Sequence, residues 1–131
     1  MILAIDPGRD KCGVVVMSFE GDIKYQKVIE TASLESVLAD LSKKFELRTV
    51  VLGDGTTSKA AKQKILSILP NIQVEVVNER HTTEEARKLY WKKNPPSGWK
   101  RLLPTSMQVP PVPVDDLVAE ILARRFLEKG E

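Results

Sequence analysis

Acidic residues stand at four places in the sequence where a short apolar run ends or a helix begins. Asp6 follows ILAI, Asp54 follows VVLG, and Glu79 follows VEVV and one asparagine. Asp115 and Asp116 stand together where a segment with helical spacing begins. Carboxylates that converge repel one another unless a cation lies between them, and Mg²⁺ takes oxygen ligands while leaving positions open for phosphate. The acids therefore predict a divalent metal site suited to phosphoryl transfer to water.

Each of these acids also has a purely structural interpretation. Asp6 could belong only to a turn, and Glu79 could form a surface ion pair with Arg80. Asp115 or Asp116 could act only as a helix N-cap, which contributes about 1 kcal/mol. Several acids at the ends of separate elements favour the metal site over these interpretations taken one by one.

Hydrophobic spacing predicts the elements that must position the acids. The predicted strands are Ile2–Ile5, Cys12–Ser18, Ile23–Glu30, Thr49–Leu52 and Val74–Val77. The predicted helices are Thr31–Phe45, Ser58–Leu69, Glu84–Lys93 and Leu117–Leu127, and four prolines predict an extended loop from Pro104 to Pro113. Thr31 or Ser33 is expected to cap the first helix, and Thr82 or Thr83, with a capping box from Glu85, the third.

This order of elements predicts an α/β fold with one mixed five-stranded sheet. The first three strands form an antiparallel meander, the later strands run parallel to the first, and helices flank the sheet. The carboxyl ends of parallel strands meet at one edge, where ligands gather. Asp6, Asp54 and Glu79 should emerge there, and the last helix can reach that edge with Asp115.

The composition narrows the class of protein. The chain has 131 residues, so we expect one domain, residues 1–131. Its net charge is +2. A single cysteine excludes an internal disulfide, and a single histidine excludes a multi-histidine zinc site. The sequence has neither an apolar run long enough to span a membrane nor the pattern of a signal peptide. A cytoplasmic protein is the expectation.

The most basic stretch of the sequence combines positive charge with aromatic residues. Lys92, Lys93, Lys100 and Arg101 surround the Asn94–Val114 loop or lie in it. The tryptophans of this stretch could stack on unpaired bases while the cations contact phosphates. Alternatively they cover the core beneath the loop, which the large area that a tryptophan buries favours. The tryptophans are Trp91 and Trp99.

Three segments resemble the RuvC/YqgF (RuvX) family. AIDPGRDKCGVVV is similar to the family's first strand and hairpin, with its Asp-x-Gly opening, basic residues and a glycine on the second strand. NERHTTEEA is similar to its Asp-Glu-Arg-x-Thr-Thr-x-x-Ala segment, and PVDDLVAEILARRFL to its closing Val-Asp-x-x-Ala-Ala helix. The resemblance extends over essentially the whole chain.

The resemblance implies an RNase H-like fold and a nuclease that depends on Mg²⁺ or Mn²⁺. It implies that Asp6, Glu79 and Asp115 are the catalytic residues and metal ligands, with Asp54 and Asp116 as alternates. The matching polar residues, expected to contact nucleic acid, are Arg9, Lys11, Arg80, Thr82 and Thr83. The implied substrate is the 5′ end of pre-16S ribosomal RNA or a branched DNA such as a Holliday junction, and the latter requires a homodimer.

The sequence departs from the family's pattern at two points near the second acid. Asn78 stands where the family usually has an aspartate. After the fourth strand, Gly53-Asp54-Gly55-Thr56 replaces a Gly-x-Pro segment. The related junction resolvases carry an acid near this strand end, so the resemblance also implies that Asp54 competes with Glu79 as the second ligand. The competing hypothesis is therefore a nucleic-acid-binding or regulatory module with a degraded site. A nucleotide-phosphate binder similar to actin ranks last, because its pocket needs two such domains.

Overall fold

Five strands form the centre of the molecule in the computed structural model, which describes residues 1–96, 98, 102, 104 and 110–129. The strands are β1 (Ile2–Asp6), β2 (Lys11–Met17), β3 (Ile23–Glu30), β4 (Thr49–Gly53) and β5 (Gln73–Val77). Their order in the sheet is β3-β2-β1-β4-β5. The predicted mixed sheet is confirmed, because β1 pairs antiparallel with β2 and parallel with β4, which in turn pairs parallel with β5.

Helices cover both faces of the sheet. They are α1 (Leu34–Lys44), α2 (Ser58–Ile68), α3 (Thr82–Lys93) and α4 (Asp115–Glu128), and a short 3₁₀ turn, Thr31–Ser33, precedes α1. Alternate residues of β1 enter two separate cores. Ile2 and Ala4 pack with α3 and α4, whereas Leu3 and Ile5 pack with α1 and α2. Burial on both faces explains why the first strand is continuously apolar.

The helix starts differ from the sequence expectations. The third helix begins at Thr82, two residues before its predicted start, and its N-cap is His81 in the left-handed conformation, with φ 64°. The predicted capping box is wrong, because Thr82 donates its hydroxyl to the Glu79 carbonyl at 2.7 Å and Glu85 pairs with Arg125. A local turn contact uses the Thr82 hydroxyl and a contact with α4 uses the Glu85 carboxylate, so neither group is left for the capping box.

The first helix also starts without a side-chain cap. Ser33 occupies the N-cap position of α1 but makes no capping hydrogen bond. The Thr31 hydroxyl donates instead to the Gly8 carbonyl at 2.8 Å, which ties the start of this helix to the β1–β2 turn.

Part of the predicted basic segment lies outside the described residues. This applies to Trp99, Lys100 and Arg101, and to half of the predicted Pro104–Pro113 loop, residues 105–109. Within the described ranges, no helix is long and apolar enough to cross a membrane.

Candidate functional site

Asp6 lies at the carboxyl end of β1, the central strand of the sheet. Its register partner on β2 is Gly13. The residues that precede it are buried on both faces of the sheet, so the backbone of Asp6 is held at the sheet edge. The pKa of Asp6 is raised to about 7, first because burial disfavours the charged form and then because of the negative charges of Asp115 and Glu79. Asp6 is thus an acid crowded by two others.

Gly13 is what allows the first turn of α4 to approach Asp6. A Cβ atom at this position would overlap the carbonyl oxygen of Asp115 and lie 2.7 Å from the backbone nitrogen of Asp116. Since glycine has no Cβ, the helix start can rest directly on β2 beside Asp6. Burial and the neighbouring Asp116 raise the pKa of Asp115, and Lys11 opposes this shift.

Glu79 reaches the same edge across the end of β4. Its carboxylate occupies space that only glycines leave open, since a Cβ on Gly53 would lie 2.6 Å from one carboxylate oxygen and a Cβ on Gly55 would overlap the other. The pKa of Glu79 is raised by burial and then by the charge of Asp54. Two glycines therefore make room for this side chain, and burial, followed by the charge of Asp54, disfavours its ionised form.

Asp54, the first alternate ligand, is placed as a support for Glu79. It is exposed, and its Oδ1 accepts the backbone N–H of Glu79 at 3.1 Å. Like Asp115, it does not line the cleft into which Asp6 and Glu79 open. Asp54 holds the loop that carries Glu79.

Asp116, the second alternate, has different neighbours from Asp115. Its Oδ1 accepts the backbone N–H of Leu117 at 3.0 Å, and among the charges that affect its pKa are Lys93 and Glu120. The raised pKa of Asp6 involves Asp115 and not Asp116. The helical phase of α4 therefore brings Asp115, of the two, towards Asp6.

An open cleft of about 870 Å³ lies in front of the β1–β2 turn. Of the residues expected to contact nucleic acid, Arg9, Lys11, Thr82 and Thr83 line it together with the acids Asp6 and Glu79. The described part of the predicted contact set also includes Arg80, Lys92 and Lys93, which do not line the cleft. Lys93 instead pairs with Glu120, at 3.0 Å between Nζ and Oε1.

The donor set fits a hard divalent cation by its chemistry. It consists of carboxylate oxygens. Burial raises the pKa of each of these acids, and the charges of Asp115 and Glu79 raise that of Asp6 further. Among the described residues, no group of three or more histidine, cysteine, aspartate or glutamate side chains has the geometry to hold a metal ion. The carboxylates must therefore turn towards a common point for all of them to coordinate one ion.

Sequence patterns did not reveal the contacts that brace this edge. Thr57 donates its hydroxyl to the Pro7 carbonyl at 3.0 Å, so α2 supports the β1–β2 turn from one side while Thr31 supports it from the other. Asn78 accepts the backbone N–H of Arg80 through its Oδ1 at 2.7 Å. These contacts join separate elements or close a loop, and the hydrophobic periodicity of the sequence does not predict them.

The comparisons with known proteins identify the fold. No protein-family model matches this sequence, and no curated protein matches it either. Two solved structures of RuvC from Thermus thermophilus are similar in structure.

One of these structures, in complex with a Holliday junction substrate, has a TM-score of 0.56 at 12% identity. The match covers 98% of this chain and 95% of the RuvC chain. The other has a TM-score of 0.55 at 13% identity and covers 98% and 96%. The RNase H-like fold of RuvC, predicted from the sequence resemblance, is confirmed for this chain.

Proposed function

We propose that this protein is a divalent-metal-dependent endonuclease that hydrolyses phosphodiester bonds in structured nucleic acid. The observation that supports it most is the convergence of Asp6, Glu79 and Asp115, three acids from separate elements, at one edge of the sheet. Asp6 carries the signature of this convergence, since its pKa is raised to about 7 by burial, by Asp115 and by Glu79. Perturbed groups of this kind in a cleft are typical of functional sites.

The residues of the site divide into two groups by the work proposed for them. Asp6, Glu79 and Asp115 would hold Mg²⁺ or Mn²⁺, and the bound ion would supply activation of water and stabilisation of charge on the phosphate. Arg9 and Lys11, at the rim of the cleft, bind the phosphates on either side of the cleaved bond.

The threonines of the cleft make different contributions. Thr82 is buried and its hydroxyl is already committed to the Glu79 carbonyl, so it orders the loop of the second acid. Thr83 is exposed and lines the cleft, where its hydroxyl is free to donate to a phosphate oxygen.

Branched DNA is the first substrate to test. The structurally similar RuvC was solved in complex with a Holliday junction substrate. Cutting two strands of such a junction requires two active sites. The proposal for this chain is therefore a single nuclease domain acting as a homodimer on a four-way junction. The leader of pre-16S ribosomal RNA is the second substrate, as the sequence resemblance implies.

The competing candidate, a binding module with a degraded site, was based on Asn78. The Asn78 side chain is exposed, does not line the cleft and accepts a hydrogen bond within its own loop. An aspartate there would accept the same bond, so asparagine removes no group from the cleft. This favours the nuclease over the degraded module.

A cleavage assay tests the proposal directly. The purified protein is incubated with a four-way DNA junction, an RNA carrying a pre-rRNA leader, and a linear duplex, each with Mg²⁺, Mn²⁺ or EDTA. We expect metal-dependent cutting of one structured substrate, its loss in Asp6→Asn, and full activity in Asp22→Asn, an exposed acid remote from the cleft. Binding without cutting, in wild type and Asp6→Asn alike, would instead establish the degraded module.

A further inference from the structure

Arg125, on the last turns of α4, contacts the loop that carries Glu79. Its Nη1 donates to the Asn78 carbonyl at 2.8 Å and its Nη2 donates to the Arg80 carbonyl at 2.8 Å. The same side chain pairs with Glu85 on α3, and it is only 25% exposed. The guanidinium group therefore spans the two residues that flank Glu79.

We propose that Arg125 is a positioning residue that fixes the Glu79 carboxylate relative to Asp115. Both Arg125 and Asp115 belong to α4, so one rigid helix carries an acid at its start and the anchor of another acid near its end. This inference rests on the proposed function, since it assigns a support to the second metal ligand. Supports of this kind typically change metal affinity by about 10–100-fold when removed.

The chemistry of the contact requires an arginine. A guanidinium presents donors in a planar fork and can bridge two carbonyl oxygens at once, whereas a lysine offers a compact charge on a flexible stem. The Glu79 peptide is held from the other direction by Asp54, which accepts its N–H at 3.1 Å. With Arg125 removed, the hydrogen bonds that Asp54, Asn78 and Thr82 make in this loop remain, and none of them connects it to α4.

Arg124 offers a matched control on the same helix. Its Nε pairs with Glu120 at 3.2 Å and its Nη1 donates to the Gly21 carbonyl at 3.4 Å. It is an arginine with an ion pair and a carbonyl contact, like Arg125, but it does not touch the Glu79 loop. A loss of stability that both arginine variants share can therefore be distinguished from an effect on the Glu79 loop, which only the Arg125 variant should show.

The experiment measures Mn²⁺ binding to the full chain by electron paramagnetic resonance, and amide hydrogen exchange at Glu79–Thr82 without metal. We expect Arg125→Gln to raise the Mn²⁺ dissociation constant about tenfold and to speed amide exchange about tenfold. Arg125→Lys should recover part of both, and Arg124→Gln should stay within about twofold of wild type in both measurements. If Arg125→Gln does not fold, Arg125→Lys against Arg124→Lys gives the same comparison.

The outcomes separate this inference from the proposed function. If Arg125→Gln binds Mn²⁺ as tightly as wild type and exchanges the amides of Glu79–Thr82 at the same rate, the positioning role is overturned. The proposed metal site is then unaffected. Wild type that binds no Mn²⁺ overturns the proposed function, and with it the inference, before any variant is compared. Equal losses in the Arg125 and Arg124 variants would mean that the arginine only stabilises the helix, which also overturns the inference.

Discussion

Asp6→Asn should make the metal-free protein more stable at neutral pH, even though it removes an acid proposed to be essential. Asparagine has almost the shape of aspartate but carries no charge. It therefore removes the repulsion from Asp115 and Glu79 and the cost of burying a charge, and leaves the packing at the end of β1 unchanged. The site would then gain stability by losing its function.

The raised pKa of Asp6 determines how the stability of the wild-type protein changes with pH. Burial and the two neighbouring acids move the pKa of Asp6 from its ordinary value of 3.8 to about 7 in the folded protein. Between these values the folded state holds a proton that the unfolded state has released. The free energy of unfolding therefore falls as the pH rises from about 4 to about 7, and the loss is complete above that.

The magnitude follows from the same shift. At about 1.4 kcal/mol for each pKa unit, the shift of the Asp6 pKa lowers the free energy of unfolding at high pH by at most about 4 kcal/mol. The carboxyl group is partly open to the cleft and can turn towards water, which reduces the penalty. We expect Asp6→Asn to exceed wild type by about 1–3 kcal/mol at pH 8 and to differ little from it at pH 4.

Urea unfolding followed by circular dichroism at pH 4, 6 and 8, in EDTA, measures this difference. Addition of Mn²⁺ at pH 8 should then stabilise wild type and leave Asp6→Asn unchanged, because a ligand stabilises only the state that binds it. Asp22→Asn is the control and should follow wild type at each pH. A difference between wild type and Asp6→Asn that does not vary with pH would refute the account of Asp6 as a crowded, desolvated acid.

Two glycine-to-alanine substitutions add a Cβ atom that meets different kinds of neighbour, the backbone of α4 in one case and the side chain of Glu79 in the other. Gly13→Ala should lower the free energy of unfolding by about 3 kcal/mol, because the added Cβ overlaps the backbone of Asp115 and α4 must move as a unit; urea unfolding measures this. Gly55→Ala should change stability by less than about 1 kcal/mol, because its Cβ meets only the flexible end of Glu79. It should nevertheless raise the Mn²⁺ dissociation constant about tenfold, because it displaces a proposed ligand; Mn²⁺ titration measures this.

The two variants are each other's controls. A Gly13→Ala protein as stable as wild type would mean that α4 can leave β2 without cost, against the close approach at this position. A Gly55→Ala protein with unchanged Mn²⁺ affinity would mean that Glu79 binds no metal, and Asp54 would become the second ligand to examine.

Much of the fold could be predicted because the sheet is buried on both faces. Strands such as β1 and β4 then read as unbroken apolar runs, and the turn residues between them mark their ends. Asp6 could be placed at the sheet edge for the same reason, since it is the first charged residue after such a run. Position along a strand is local information, which a sequence carries well.

The rest of the candidate site depends on contacts between distant elements. Nothing local distinguishes Asp115 from Asp116, because only the docking of α4 on Gly13 decides which acid turns towards Asp6. The capping prediction was wrong for the same reason, as Glu85 pairs with Arg125 on another helix. The role of Arg125 likewise cannot be read from a sequence in which Arg124 stands beside it.

The placement of α4 has a consequence for how the molecule is made. β1 is the first strand and α4 the last described helix, so the contact between them closes nearly the entire chain and is slow to form compared with local contacts. A chain that has not yet docked α4 leaves one face of the sheet uncovered, because Ala119, Leu122 and Phe126 supply much of that core. The acids at positions 6, 79 and 115 can therefore meet only once α4 has docked on the sheet, and a chain with α4 undocked lacks the complete carboxylate cluster.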